Sequence, residues 1–337
     1  MTKKERIQAA VNGGTPDHLP YSLWTHLPGI DLDPALLAEK TYEFYKTYDV
    51  DFIKTMNNGM YAIEDFGCTI DYSDIATGGV AKVINTPIHN PEDWLSLRAC
   101  SIKKGGLLRE LTSLKLLLEK VKSEDVPVLF TIFSPITTAD KLSGKALLSH
   151  IRAGHGDKVK KALEVIAETT AILAEEAIRL GAAGIFFASQ MSSYTTMTED
   201  EYCEYGRPYD LKVLEAAKDG WFNTLHAHGT QIMFNLLKDY PVSVFNWHAW
   251  ETLPNLDEAF CLTGKCLMGG LERMDITNKD RNAVQHQIFE SLRQLKGRHQ
   301  ILTPGCVIRY PLDREMLEFV RSTKEFIESR MSEYVLP

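Results

Sequence analysis

The segment Thr224–Thr230, TLHAHGT, sets two histidines one residue apart. In an extended segment, residues i and i+2 point to the same side. His226 and His228 can therefore present two imidazoles to one space. Imidazole suits zinc and other borderline transition metals. Two histidines alone are also the ordinary pattern of hydrogen-bonded core or surface residues, and zinc catalysis usually takes three protein ligands plus an open fourth position. A third donor stands in ILTPGC, where Cys306 ends a β-rich run. Cys68, Cys100, Cys203, Cys261 and Cys266 are scattered without CxxC spacing and read as reduced core filler. His150 and His155 lie in a polar stretch and read as solvated.

The elements that must position these side chains alternate along the chain. β-rich runs occur at 18–24, 51–55, 127–133, 184–188, 222–226, 242–247, 266–270 and 301–305. Helical patterns occupy 35–48, 107–123, 158–181, 199–220 and 313–331. Gly181 is a helix stop and Thr198 a candidate N-cap. Short buried strands alternating with helices imply parallel βαβ units. Eight of them fit an α/β fold of the (β/α)8 TIM-barrel type, one domain over residues 1–337. No GxGxxG follows the first strand, which argues against a dinucleotide-binding sheet. Residues 59–105 break the pattern and read as a hairpin and loop inserted between the second and third barrel strands.

Chemistry in such a barrel sits at the C-terminal ends of the strands. The residues there are Trp24, Thr25, His26, Lys54, Asn57, Ser134, Gln190, His226, His228, Asn246, Trp247, His248, Gly269, Gly270, Gly305 and Cys306. The fifth and eighth strands face each other across the mouth, so His226, His228 and Cys306 form a candidate metal set. His248 either joins them, acts as a base or is a loop histidine; His26 is substrate-facing or solvated.

Bulk properties narrow the function classes. Of 337 residues, 44% are hydrophobic and 24% charged, as in a globular protein with a large core. A formal net charge of −8 argues against nucleic acid or an anionic membrane as partner. No run of about 18 apolar residues exists to span a bilayer. The N-terminus lacks the apolar segment of a signal peptide, and a cytoplasmic location is expected.

Five stretches together resemble the uroporphyrinogen decarboxylase superfamily. They are ERIQAAVNGG with TPDHLPYSLW, FSPITTADKLSG, GIFFASQMSS, HAHGTQIMFNLLKDYPVSVFNWH and TPGCVIRYPLD. The resemblance covers the whole chain and implies a distorted (β/α)8 barrel. In the decarboxylase branch an arginine-bearing loop follows the first strand and an aspartate the second. Here THLPGID follows YSLW, no arginine occurs between Arg6 and Arg98, and Lys54 is the only cation of DFIKTMNNGM. A highly anionic porphyrinogen needs guanidinium donors, so that reaction fits poorly.

The other branch, the zinc-dependent corrinoid:thiol methyltransferases, carries His-x-Cys at the fifth strand and Cys at the last. His226 and Cys306 match, while His228 stands where the first Cys would be. The resemblance thus implies zinc held by His226, His228 and Cys306, which are also the catalytic set. It further implies a small thiol acceptor, a corrinoid on a partner protein, and pairing of two chains. Trp24, His26, Asn57, Gln190, Asn246, Trp247 and His248 are the expected substrate-binding residues. Gln190 stands where relatives often have an acid. Two alternatives stay open: a cofactor-free decarboxylase, and a non-catalytic barrel that binds a corrinoid or small ligand.

Overall fold

The computed structural model describes residues 1–77 and 81–330. Nine strands occur among them in chain order: β1 (Ile53–Lys54), β2 (Thr69–Asp71), β3 (Lys82–Asn85), β4 (Val128–Phe133), β5 (Gly184–Ser189), β6 (Thr224–Ala227), β7 (Val244–Trp247), β8 (Cys266–Leu271) and β9 (Gln300–Pro304). Seven form one parallel sheet in the order β1-β4-β5-β6-β7-β8-β9. Each lies beside its sequence neighbour, as βαβ connections require.

The run at 18–24 is the exception to the eight predicted strands. It makes only isolated parallel bridges, Tyr21 with Leu302 and, just beyond, Thr25 with Ile308. On the β9 side, Leu302 N–H donates to Pro20 and Ser22 N–H donates to Leu302, at 2.8 and 3.1 Å. On the β1 side one backbone bond, from Asp51 N–H to the Tyr21 carbonyl at 2.8 Å, is supplemented by side chains. Tyr21 N–H donates to the Asp51 carboxylate at 2.8 Å, and Ser22 Oγ donates to the Phe52 carbonyl at 2.8 Å. The run closes the curled sheet into a barrel without being a regular strand.

Within the stretch read as an insertion, β2 and β3 pair antiparallel and lie between β1 and β4 in chain order. The stretch GVAKVIN begins outside the described residues, which resume at Ala81. The end of the predicted last helix, at residue 331, also lies outside them.

Alternation along the strands divides core from cavity. Phe186 and Ala188 face the barrel interior, whereas Ile185 and Phe187 pack outward and are fully buried. The helix Gly156–Leu180 covers this outer face with Val159, Leu163, Ile166, Leu173 and Ala177. It ends on Gly181 at φ 116°, a left-handed conformation that glycine adopts without steric cost.

The helix expected over 199–220 is two helices, Glu199–Tyr205 and Arg207–Ala216, split at Gly206. Pro208 in the first turn of the second has no N–H to continue the ladder. Thr198 caps the first of them in a capping box with Glu201. Helices Leu256–Thr263 and Arg281–Leu295, which the sequence patterns do not announce, complete the crossovers around β8. Among the described residues, no helix is long and apolar enough to cross a membrane.

Candidate metal centre and cavity

Three strand ends converge at the mouth of the barrel. His226 lies on β6, paired with Ala188 of β5 and Asn246 of β7. His228 follows β6, held by its N–H to the Ser189 carbonyl at 2.9 Å. His248 follows β7, and Cys306 follows β9. One ligand atom from each of these four residues lies within 4.8 Å of the other three. Cys306 Sγ is 3.6 Å from His228 Nδ1, so the fifth and eighth runs do meet. For His248 the sequence leaves open joining the set, acting as a base or lying in a loop, and the structure makes it a fourth member of the cluster.

Backbone space makes the convergence feasible. A Cβ on Gly305 would sit 2.7 Å from the Trp247 carbonyl oxygen and 2.9 Å from His248 Cα. Only glycine lets the end of β9 approach the end of β7 this closely, and Cys306 is its next residue.

Hydrogen bonds orient the imidazoles. The Asn246 side-chain NH2 donates to the Met268 carbonyl at 2.7 Å. Its oxygen is thereby turned toward His226 Nδ1, 2.6 Å away. That oxygen cannot donate, so Nδ1 carries the proton and Nε2 keeps its lone pair. His248 Nδ1 is 2.8 Å from the Glu251 carboxylate, and its buried Nε2 has no hydrogen-bond partner. Partners on the outer nitrogen of a histidine are the usual support of a metal ligand.

The electrostatics agree with a soft cationic guest. Burial alone would raise the Cys306 thiol, but contacts with His226, His228 and His248 outweigh it and hold it well below its ordinary range. Burial also lowers His226. For His248 burial is outweighed by Cys306 and Glu251, and the net effect is upward. Three imidazole nitrogens and one thiolate sulfur form a donor set that fits zinc, and the unpartnered Nε2 of His248 is a donor waiting for an acceptor of its lone pair.

The cluster opens into a cavity of about 600 Å³. Trp24, His26, Gln190, His226, His228 and Cys306 line it, as their places at strand ends predict. Asn57, Asn246, Trp247 and His248 are not among its lining residues. Asn57 is buried behind the wall, where its NH2 donates to Glu110 at 2.7 Å, and Asn246 orients His226. Trp247 is fully buried against Phe234 and Phe245, and its indole donates to the Pro254 carbonyl at 3.0 Å. Adjacent strand residues point to opposite faces, so Asn246 and Trp247 could not both face inward. His150, expected in solvent, instead accepts the Trp94 indole N–H at 3.0 Å.

The cavity also holds charged groups outside the expected metal and substrate sets. Lys54 at the end of β1 is buried, and burial lowers its ammonium to about 8. Arg273, beyond β8, and Arg309, beyond Cys306, bring guanidinium groups from the far half of the chain. Asp31 stands on the opposite loop, where burial raises its carboxyl to about 6. Behind it, burial raises Glu110 to about 7 beside Arg109 and Asn57.

Comparison with known proteins gives these groups a context. The chain is 26% identical over 231 residues to methylcobamide:CoM methyltransferase MtbA of Methanosarcina acetivorans, spanning 65% of this chain and 67% of that one. The same enzyme of Methanosarcina mazei is 23% identical over 231 residues, again 65% of this chain and 67% of its own. A solved methyltransferase structure from Methanosarcina mazei superposes with a TM-score of 0.82 at 18% identity, over 97% of this chain and 99% of that one. A B12-independent methionine synthase from Shewanella sp. W3-18-1 shares the fold at a TM-score of 0.62 and 14% identity, over 94% and 99%. The uroporphyrinogen decarboxylase (URO-D) family profile matches residues 2–325, and the chain belongs to that family.

Proposed function

We propose that this chain is a methyltransferase that moves a methyl group from a corrinoid carrier to a small thiol held at a zinc site. The observation that carries the reading is the convergence of His226, His228, His248 and Cys306 at the mouth of the cavity, in a chain similar to methylcobamide:CoM methyltransferases. His226, His228 and Cys306 would hold the ion and leave a fourth position for the acceptor thiol, with His248 lying within reach of the same point. Bound zinc supplies positive charge that lowers the pKa of an adjacent thiol.

The chain's own residues do the rest. Asn246 fixes the His226 ring through Nδ1, leaving Nε2 directed at the cluster. Glu251 does the same for His248. Trp24 and Phe186 wall the cavity and limit water around the acceptor sulfur. The acceptor sulfur forms the new bond to the methyl carbon, the electron pair of the broken bond stays with the corrinoid, and the thiol proton leaves to solvent. His228 replaces a thiolate of the resembled pattern, so the donor set carries one negative charge fewer and the site is a stronger Lewis acid.

The test is a methyl-transfer assay with zinc-loaded protein, free methylcobalamin and a small thiol. Absorbance should report demethylation of the corrinoid, with the methyl thioether formed in equal amount. Demethylation that is the same in the presence of Cys306→Ala protein would reject the reading.

A second reading draws on His248. With four protein donors engaged, a bound metal has no place for an acceptor, as in a non-catalytic corrinoid- or ligand-binding barrel. Cobalt-substituted protein separates the two. A spectral shift on adding a thiol marks an accessible position, and an unchanged spectrum marks a closed one.

A further inference from the structure

Asp31 lines the cavity at 5% exposure, and its Oδ1 has no hydrogen-bond partner among the described residues. It forms no salt bridge among them. Burial raises its carboxyl to about 6, against the pull of the Asn58 side-chain amide, the Arg109 charge and the N–H groups of Asp31 and Gly29. Arg109 is itself taken up, because its guanidinium donates to Glu64 at 2.8 and 2.9 Å and to Glu110 at 2.9 Å. At neutral pH the Asp31 carboxyl is still mostly ionised. A buried carboxylate with one oxygen unbonded is matched by a donor that arrives with a ligand.

The surrounding chain holds that carboxylate in place. The N–H groups of Ile30 and Asp31 both donate to the Leu27 carbonyl, at 3.1 and 3.0 Å, and Asp33 caps the helix Pro34–Tyr48. Asn58 Oδ1 accepts from the Met60 N–H at 2.8 Å, which leaves its NH2 for Asp31.

The same loop offers a second acceptor. His26 lines the cavity, and its Nδ1 is 3.2 Å from the Asn57 carbonyl, which can only accept. Nδ1 therefore carries the proton and Nε2 keeps its lone pair. Burial, helped by the Lys54 charge, lowers His26 to about 4, so the ring is neutral at neutral pH. Lys54, Arg273 and Arg309 line the cavity too, and Asp31 is the one acid among the described lining residues. A negative oxygen and a neutral nitrogen that both accept suit a group with a positive charge and several N–H donors. A primary ammonium has three such donors and no acceptor.

We propose that the acceptor is an aminothiol: Asp31 binds an ammonium group carried by the thiol, and it selects that thiol over neutral and anionic ones. The inference rests on the acceptor reading given above, but ammonium binding at Asp31 needs no turnover. The methyl-transfer step is unchanged, since the ammonium neither makes nor breaks a covalent bond.

The experiment has two arms, both on zinc-loaded full-length protein at about pH 7, where a primary amine stays protonated. In the first, propylamine is titrated by calorimetry, with propanol and propionamide as neutral controls. Wild type should bind propylamine at least about tenfold more tightly than either control, the scale of one charge-assisted hydrogen bond. Asp31→Asn keeps the shape and removes the charge, and should reduce that ratio to below about threefold. In the second arm, cysteamine, 2-mercaptoethanol and 3-mercaptopropionate compete as methyl acceptors. Wild type should favour cysteamine, and the ratio of its kcat/KM to that of 2-mercaptoethanol should fall about tenfold in Asp31→Asn.

A cysteamine preference that collapses in Asp31→Asn supports the inference. Propionamide binding as tightly as propylamine, wild type favouring 3-mercaptopropionate, or an amine preference that survives in Asp31→Asn overturns it while leaving methyl transfer intact. Propylamine binding through Asp31 without methyl transfer to any of the three thiols would overturn the acceptor reading instead. Thermal unfolding checks the fold of the variant, and added propylamine should raise the midpoint of wild type but not of Asp31→Asn. The wild-type ratios decide the matter even where the variant does not fold.

Discussion

His226 and Asn246 face each other across the β6–β7 ladder, with Nδ1 and Oδ1 2.6 Å apart. The pairing decides which nitrogen His226 offers to the donor cluster. Replacing Asn246 by Leu keeps the bulk but removes the acceptor, and frees the ring to turn or to change tautomer. Metal affinity in a chelator competition should fall by about 10- to 100-fold, the usual effect of losing such a support. Unfolding of the metal-free form should show a separate loss of about 1–3 kcal/mol, because the Met268 carbonyl loses its donor. Unchanged affinity would mean that Asn246 is only a core residue.

Gly305 sets the distance between two chain segments that each supply a donor. Gly305→Ala puts a methyl group where the Trp247 carbonyl and His248 Cα stand. Backbone atoms cannot rotate away, so the ends of β7 and β9 must separate. The variant should fold with a stability loss of roughly 1–3 kcal/mol and should bind metal more weakly than wild type. The check is metal content at equal folded fraction. Full occupancy at wild-type affinity would show that His248 and Cys306 need not be this close.

Asp210 lies deeper, under the wall that carries Gln190. Its Oδ2 accepts from Tyr202 at 2.6 Å and Tyr240 at 2.9 Å, and Tyr202 also contacts Ser189 Oγ at the end of β5. Burial raises this carboxyl from 3.8 to about 7, with the two tyrosine hydroxyls pulling the other way. A folded-state value above the unfolded one means that the contribution to stability is full below the unfolded value and is lost as pH rises through the folded one. Urea unfolding of wild type and Asp210→Asn at about pH 5 and pH 8 isolates this group. Wild type should gain about 2–3 kcal/mol relative to the variant at the lower pH. A difference that does not move with pH would contradict the assignment.

Much of this arrangement can be read from residue order. Alternating β-rich runs and helical patterns point to the barrel. The rule that chemistry lies at strand C-termini brings His226, His228 and Cys306 to one mouth, and the insertion is visible as a break in the alternation. The failures have physical causes. The run at 18–24 has strand composition, but Asp51 and Ser22 satisfy backbone groups that a ladder would have used.

Asn246 and Trp247 are each able to touch a ligand, but strand alternation admits only one of them to the barrel interior. The place of His248 in the cluster depends on Gly305, 57 positions later in the chain, and no local pattern encodes that approach. Lys54 is visible in the sequence as the only cation of its strand end. Its burial is not, because depth is a property of the folded cavity. Arg273 and Arg309 restore positive charge that the arginine-free stretch from Arg6 to Arg98 makes unexpected.

Zinc binding at the cluster is read most directly from the metal content of the purified protein, by mass spectrometry after removal of loosely bound ions. We expect about one zinc per chain in wild type, as a single cluster of nitrogen and sulfur donors implies, and loss of that zinc in His226→Ala and Cys306→Ala proteins that remain folded. No stoichiometric metal in wild type after reconstitution, or undiminished zinc in both variants, would contradict it.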